Sequence, residues 1–154
     1  MATQKPIIHA KYFIGVKNLA GGVSLTADLV IHLDDNSVTG YSQVTQATHP
    51  MLDVKSRISG EFSRVDIKDE NIVIITATGY PYFNWPPGFG PGPAVQPNLR
   101  LKMILDKSAQ VGVATFSYLD NRSEVYKWET QKDVPVHLEK VAQQLEQEEA
   151  VNQA

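Results

Sequence analysis

Four histidines, seventeen carboxylates and six tyrosines are the side chains of this chain best suited to move protons or hold a metal, and cysteine is absent. Its absence excludes disulfides, thiolate nucleophiles and cysteine-ligated zinc together. His9, His32, His49 and His137 are scattered, with no two at the short spacing that puts a pair of imidazoles on one metal. His32 follows Asp28 by four residues on the same face of a strand-like segment, which reads as a surface or lumen polar pair. The run Asp34-Asp35-Asn36-Ser37 is rich in oxygen, but it lacks the glycine and distal glutamate of a twelve-residue calcium loop. It reads as a hairpin turn. Neither a phosphate-cradling glycine loop ending in lysine nor a Gly-x-Ser-x-Gly elbow occurs. Tyr12, Tyr41, Arg57, Glu61, Tyr118 and Tyr126 remain as candidates to line a lumen. No catalytic residue, metal ligand or cofactor is assigned, and the expectation leans away from an enzyme.

One stretch stands apart. Residues 80–97 hold six of the nine prolines and five of the thirteen aromatics. Connections this long without regular structure are usually functional or disordered, and aromatic content argues against plain disorder. Tyr80, Tyr82, Phe83, Trp85 and Phe89 are therefore the predicted ligand- or partner-binding residues. Three roles stay open. The loop packs on the body or on another copy; it closes as a lid over a small-molecule pocket; or another protein reads it as an epitope.

The elements that must position these residues read as strands. Eight segments, at about 7–17, 23–33, 38–46, 54–67, 72–79, 99–106, 111–119 and 124–130, are rich in Val, Ile, Thr, Tyr and Phe. Most are joined by short Gly/Asp/Asn/Ser turns, which link only antiparallel neighbours. Alternation fixes two faces. Leu25, Ala27, Leu29 and Ile31 oppose Thr26, Asp28 and His32, and Leu99, Leu101, Met103 and Leu105 oppose Arg100 and Lys102. Ile72, Val73, Ile74 and Ile75 are apolar on both faces, which predicts a strand covered on both sides, by a tail helix or by a partner. The predicted fold is mainly β: an eight-stranded antiparallel up-and-down β-barrel, with a two-sheet sandwich as the alternative. Glycines inside the strand patterns, such as Gly40 and Gly60, favour the bends that closure requires. A faint echo between residues 33–40 and 105–112 is explained by two similar hairpins. Val134, Leu138, Val141 and Leu145 then recur at helical spacing, with Asp133 as N-cap and Pro135 in the first turn. This divides the chain into a barrel domain, residues 1–132, and a C-terminal amphipathic helix with a frayed acidic tail, residues 133–154.

Composition narrows the partners. The net charge is −3, and from residue 133 onward five carboxylates face Lys140 alone. The tail therefore carries −4 and the body +1. A near-neutral body has no long-range pull on polyphosphate, so nucleic acid is not an expected partner. No stretch approaches the ~20 apolar residues that cross a bilayer, and no clean signal peptide is read at the N-terminus, so a cytoplasmic protein without a membrane partner is expected.

Val38-Thr39-Gly40-Tyr41, followed by Ile58-Ser59-Gly60-Glu61-Phe62, resembles strand openings of small lipocalin- or streptavidin-like barrels. The whole layout resembles an uncharacterised family of small bacterial domains of unknown function. The barrel resemblance implies a small apolar or cyclic ligand in the lumen. Where typical lipocalins carry Gly-x-Trp near the first strand, Gly15-Val16-Lys17 stands here. The expected function is a non-catalytic binding module that holds a small, partly apolar ligand in or at the mouth of the barrel. The alternative is a homo-oligomeric or accessory interaction domain that uses loop 80–97 and the C-terminal helix.

Overall fold

The alternating segments become strands in the computed structural model, which describes residues 7–17, 19–68, 70–81 and 96–144. They are β1 (Ile7–Ile14), β2 (Ser24–His32), β3 (Ser37–Gln46), β4 (Leu52–Ile67), β5 (Glu70–Tyr80), β6 (Leu99–Leu105), β7 (Val111–Asp120) and β8 (Lys127–Gln144). Each pairs antiparallel with the next, and β8 pairs with β1. The sheet is a closed barrel, not a sandwich.

Apolar faces turn inward because closure leaves them no other way out of water. Ile14, Leu25, Val44, Ile75, Met103 and Phe116 are each 0% exposed. A side chain at zero touches no space that admits a water molecule, so the middle of the barrel is a packed core. Two strands carry the closure. β4 pairs through residues 52–61 with β3 and through 57–67 with β5. β8 pairs through 127–137 with β7 and through 136–144 with β1. Each long strand serves two sets of neighbours in succession and turns a corner between them. Gly60 lies in the stretch of β4 shared by both neighbours, where a Cβ would overlap the Thr76 carbonyl oxygen. The two echoing segments form equivalent hairpins, β2–β3 and β6–β7.

The predicted C-terminal helix is absent. Residues 133–144 are the second half of β8, and the described residues contain no helix at all. The helical reading used Val134, Leu138 and Val141 but passed over Val136, which alternates with Pro135 and His137. Val136 is 1% exposed, while Val134 and Leu138 pack against the same core. Two irregularities hide the period of two. One lies where β8 passes residues 114–116 of β7, and there Asp133 adopts a left-handed φ of 54°. The second lies opposite Lys11/Tyr12 and shifts the face of everything after Leu138. Asp133 is thus a bulge residue rather than an N-cap, and the barrel wall extends past residue 132. Leu145 and the rest of the predicted tail lie outside the described residues. No described helix is long and apolar enough to cross a membrane.

Candidate functional site

β1, β3, β5 and β7 all finish at one end of the barrel. The described residues of the connections after β1, β3, β5 and β7 therefore gather there, and the turns 33–36 and 106–110 lie at the other end. The loop end is where a site can be built, because loops escape the register that pins the walls.

Its centre is Arg122. Asp120, the last residue of β7, accepts from the Arg122 backbone N–H (3.0 Å), from Nε at Oδ1 (3.0 Å) and from Nη2 at Oδ2 (2.7 Å). Nη1 donates to Gln46 Oε1 (3.0 Å) and Thr48 Oγ1 (2.9 Å). The 47–51 and 121–126 loops lie half the ring apart, so this guanidinium is a strut across the mouth. Its hydrogen bond holds the Asp120 carboxyl below the usual carboxylate range, and the pair raises Arg122 in turn. Because these donors are aimed at Asp120, Gln46 and Thr48, Arg122 acts first as a structural clamp.

Asn98 provides a second tie. It accepts from Ser56 Oγ at 2.6 Å and donates Nδ2 to the Lys55 carbonyl at 3.1 Å. Its backbone bonds the Gly79 carbonyl and the Leu119 N–H. β4, β5 and β7 are joined by this one residue. Ser42, the β3 register partner of Ser56, is buried with no hydrogen-bond partner for its Oγ among the described residues.

Beside the strut is a cleft of about 390 Å³ lined by Thr48, His49, Pro50, Asp120, Arg122, Ser123, Lys127 and Glu129. A second cleft of about 430 Å³, at the same end, is lined by Phe13, Val16, Leu19, Ala20, Gly22 and Ser24. The first offers cations, carboxylates, an imidazole and hydroxyls; the second has mostly apolar side chains in its lining, with Ser24 among them. Tyr80, Tyr126 and Trp128 stand exposed around this end, and the Arg100 guanidinium lies 5.2 Å over the Trp128 ring.

The sequence candidates are distributed unevenly. Tyr80 closes β5 at the mouth and is exposed, whereas Tyr82, Phe83, Trp85 and Phe89 lie outside the described residues. Tyr12 and Tyr118 point into the core, while Tyr41, Arg57, Glu61 and Tyr126 are exposed and line no lumen. His49 lines the first cleft; His9, His32 and His137 lie elsewhere, and no group of three potential metal ligands forms among the described residues. Sequence reasoning missed Arg122 and Asp120, which fall in the short connection between the segments at 111–119 and 124–130. The available signal was an arginine two residues after an aspartate at a strand end, the spacing of an Asx turn.

Residues 7–124 match the family described as a domain of unknown function, DUF1842. The chain belongs to this family. The DUF1842 match runs from β1 through β7 and takes in loop 80–97, Asn98, Asp120 and Arg122, but stops short of β8. The resemblance to an uncharacterised domain family is thereby borne out. No curated protein matches the chain.

Proposed function

We propose that this DUF1842 protein is a non-catalytic cytoplasmic binding module that holds a small, partly apolar ligand at the loop end of its barrel, outside the core. The carrying observation is the contrast between the two places a ligand has to choose from. The middle of the barrel is filled by fully buried side chains, whereas the loop end carries a polar cleft braced by Arg122 and a second cleft lined by Phe13, Val16 and Leu19. Loop 80–97 leaves β5 at this mouth and re-enters β6 there, which supports the reading of its aromatics as part of the same site. The protein would share a barrel with the lipocalin-like families but not their lumenal pocket. A cysteine-free chain suits the reducing compartment of this reading.

The test is a native mass spectrum of the protein purified gently from its own cells. The expected result is a species with extra mass, retained by the wild type and lost in Lys127→Ala and His49→Ala, which alter the cleft without cutting the strut. A protein that is bare in every preparation overturns the reading, as does extra mass that both variants retain in full.

A further inference from the structure

The outer wall carries a second surface, distinct from both clefts. Alternation sets the outward residues of β4 to β8 in rows, and one row runs Ser59–Thr78–Arg100–Ser117–Thr130 through four successive register pairs. It spans roughly 19 Å at the usual strand spacing, and within it Ser117 Oγ lies 2.8 Å from Thr130 Oγ1. Two rings border the row on its loop-end side: Tyr80, paired with Arg57, and Trp128, paired with Leu119. They are 40% and 43% exposed. The contact between Arg100 and Trp128 puts both side chains on this outer face, whereas Lys127 and Glu129, on either side of Trp128, line the polar cleft. Lys102 stands on the turn-end side of Arg100, and Lys132 follows Thr130 by two residues. Arg57, Arg100, Lys102 and Lys132 are all exposed, and none forms an ion pair with a described carboxylate. Glu61 and Asp133 are the carboxylates at the border, so the face is cationic on a chain whose net charge is −3.

We infer that this face binds single-stranded nucleic acid, with phosphates on the four cations and bases on Trp128 and Tyr80. Three observations select that occupant. The first is charge: exposed cations without carboxylate partners call for an anion. The second is the pair of exposed rings beside them, which supply the flat surface on which bases stack. An acidic peptide would use the cations and leave the rings idle. The third is shape. The wall of a closed barrel is convex, and a flexible single strand follows it. A duplex is stiff, and its bases are read by elements that enter a groove, which this face does not offer. The hydroxyls of the row add neutral hydrogen bonds to sugar and phosphate oxygens. The expectation against nucleic acid rested on the summed charge of the body, and folding sorts that sum by face.

Fluorescence anisotropy of an end-labelled oligothymidylate about fifteen nucleotides long, titrated with the full chain at low salt, tests this. Saturable binding is expected, weakening as salt rises with a logarithmic slope of about 0.7 per phosphate contact, and Lys102→Gln should lower that slope by about 0.7. Trp128→Ala should weaken binding about tenfold, the loss of one stacked base, with far-ultraviolet circular dichroism unchanged because the ring lies on the outer face. A duplex of the same length should bind more weakly than the single strand. His49→Ala alters the polar cleft and should leave the titration unchanged, so failure here is distinct from failure at the mouth. A wild type that does not bind overturns the inference. So does an affinity indifferent to Trp128→Ala, a duplex bound as tightly, or polyglutamate bound as tightly as the oligonucleotide. A loss in His49→Ala as large as that in Trp128→Ala also overturns it, because it moves the strand to the mouth.

Discussion

Tyr12 carries a phenol into the packed interior, where its Oη donates to the Ala109 carbonyl at 2.8 Å. Burial, with a smaller push from Asp106, raises its pKa to about 12. An unfolded tyrosine ionises near pH 10, so between roughly pH 10 and 12 the unfolded chain has released a proton that the native chain keeps. Stability from Tyr12 is therefore full below pH 10 and is lost as pH rises through about 12, by about 2–3 kcal/mol. Urea unfolding across this range should show a shallower alkaline decline in Tyr12→Phe than in the wild type. At neutral pH the same variant should lose about 1 kcal/mol with the Ala109 hydrogen bond. Tyr118 is also raised, chiefly by burial, so some alkaline slope remains. An unchanged slope in Tyr12→Phe would remove Tyr12 from this account. Arg122 differs in kind, because its energy is conformational: the fork of donors fixes two loops that share no strand.

At the scale of elements, β8 decides the architecture. Its sequence satisfies two periods at once, since Val134, Leu138 and Val141 fit a helix while Val134, Val136 and Leu138 fit a strand. Asp133 arbitrates through its backbone. At a φ of 54°, glycine is at ease, aspartate is tolerated and a β-branched residue is strained. Asp133→Gly should leave stability within about 0.5 kcal/mol, whereas Asp133→Val should cost about 1–2 kcal/mol. Denaturant midpoints of the two variants measure this. Equal losses in the two variants would contradict a left-handed backbone at residue 133.

The whole molecule depends on closure. β1 has two partners only because β8 runs on past β7, and Val136 enters the core on that extension. A chain ended at residue 132 should fail to unfold cooperatively, because it leaves one side of β1 unpaired and removes Val134, Val136 and Leu138 from the interior. A chain ended at 144 should keep a cooperative transition, since every described strand pair lies within it. Calorimetry of the two truncations provides the comparison. A cooperative transition in the shorter chain would show that the barrel closes without the second half of β8.

The residues alone settled all that local pattern controls. Eight β segments, antiparallel order, the division of each strand into two faces and the turns at 33–36 and 106–110 follow from alternation and turn chemistry, which act over a few neighbours; that the apolar faces turn inward was decided by closure. Short connections made an antiparallel meander readable, whereas the choice of barrel over sandwich rests on the pairing of β8 with β1. Only tertiary structure decided whether the last segment coils or extends. That choice rests on the open edges of β1 and β7, more than a hundred residues and about twenty residues away in the chain respectively. The site at the mouth was hidden for the same reason. Arg122 meets Gln46 and Thr48 across seventy-six and seventy-four residues, and a contact at such separation leaves no periodic trace in the sequence.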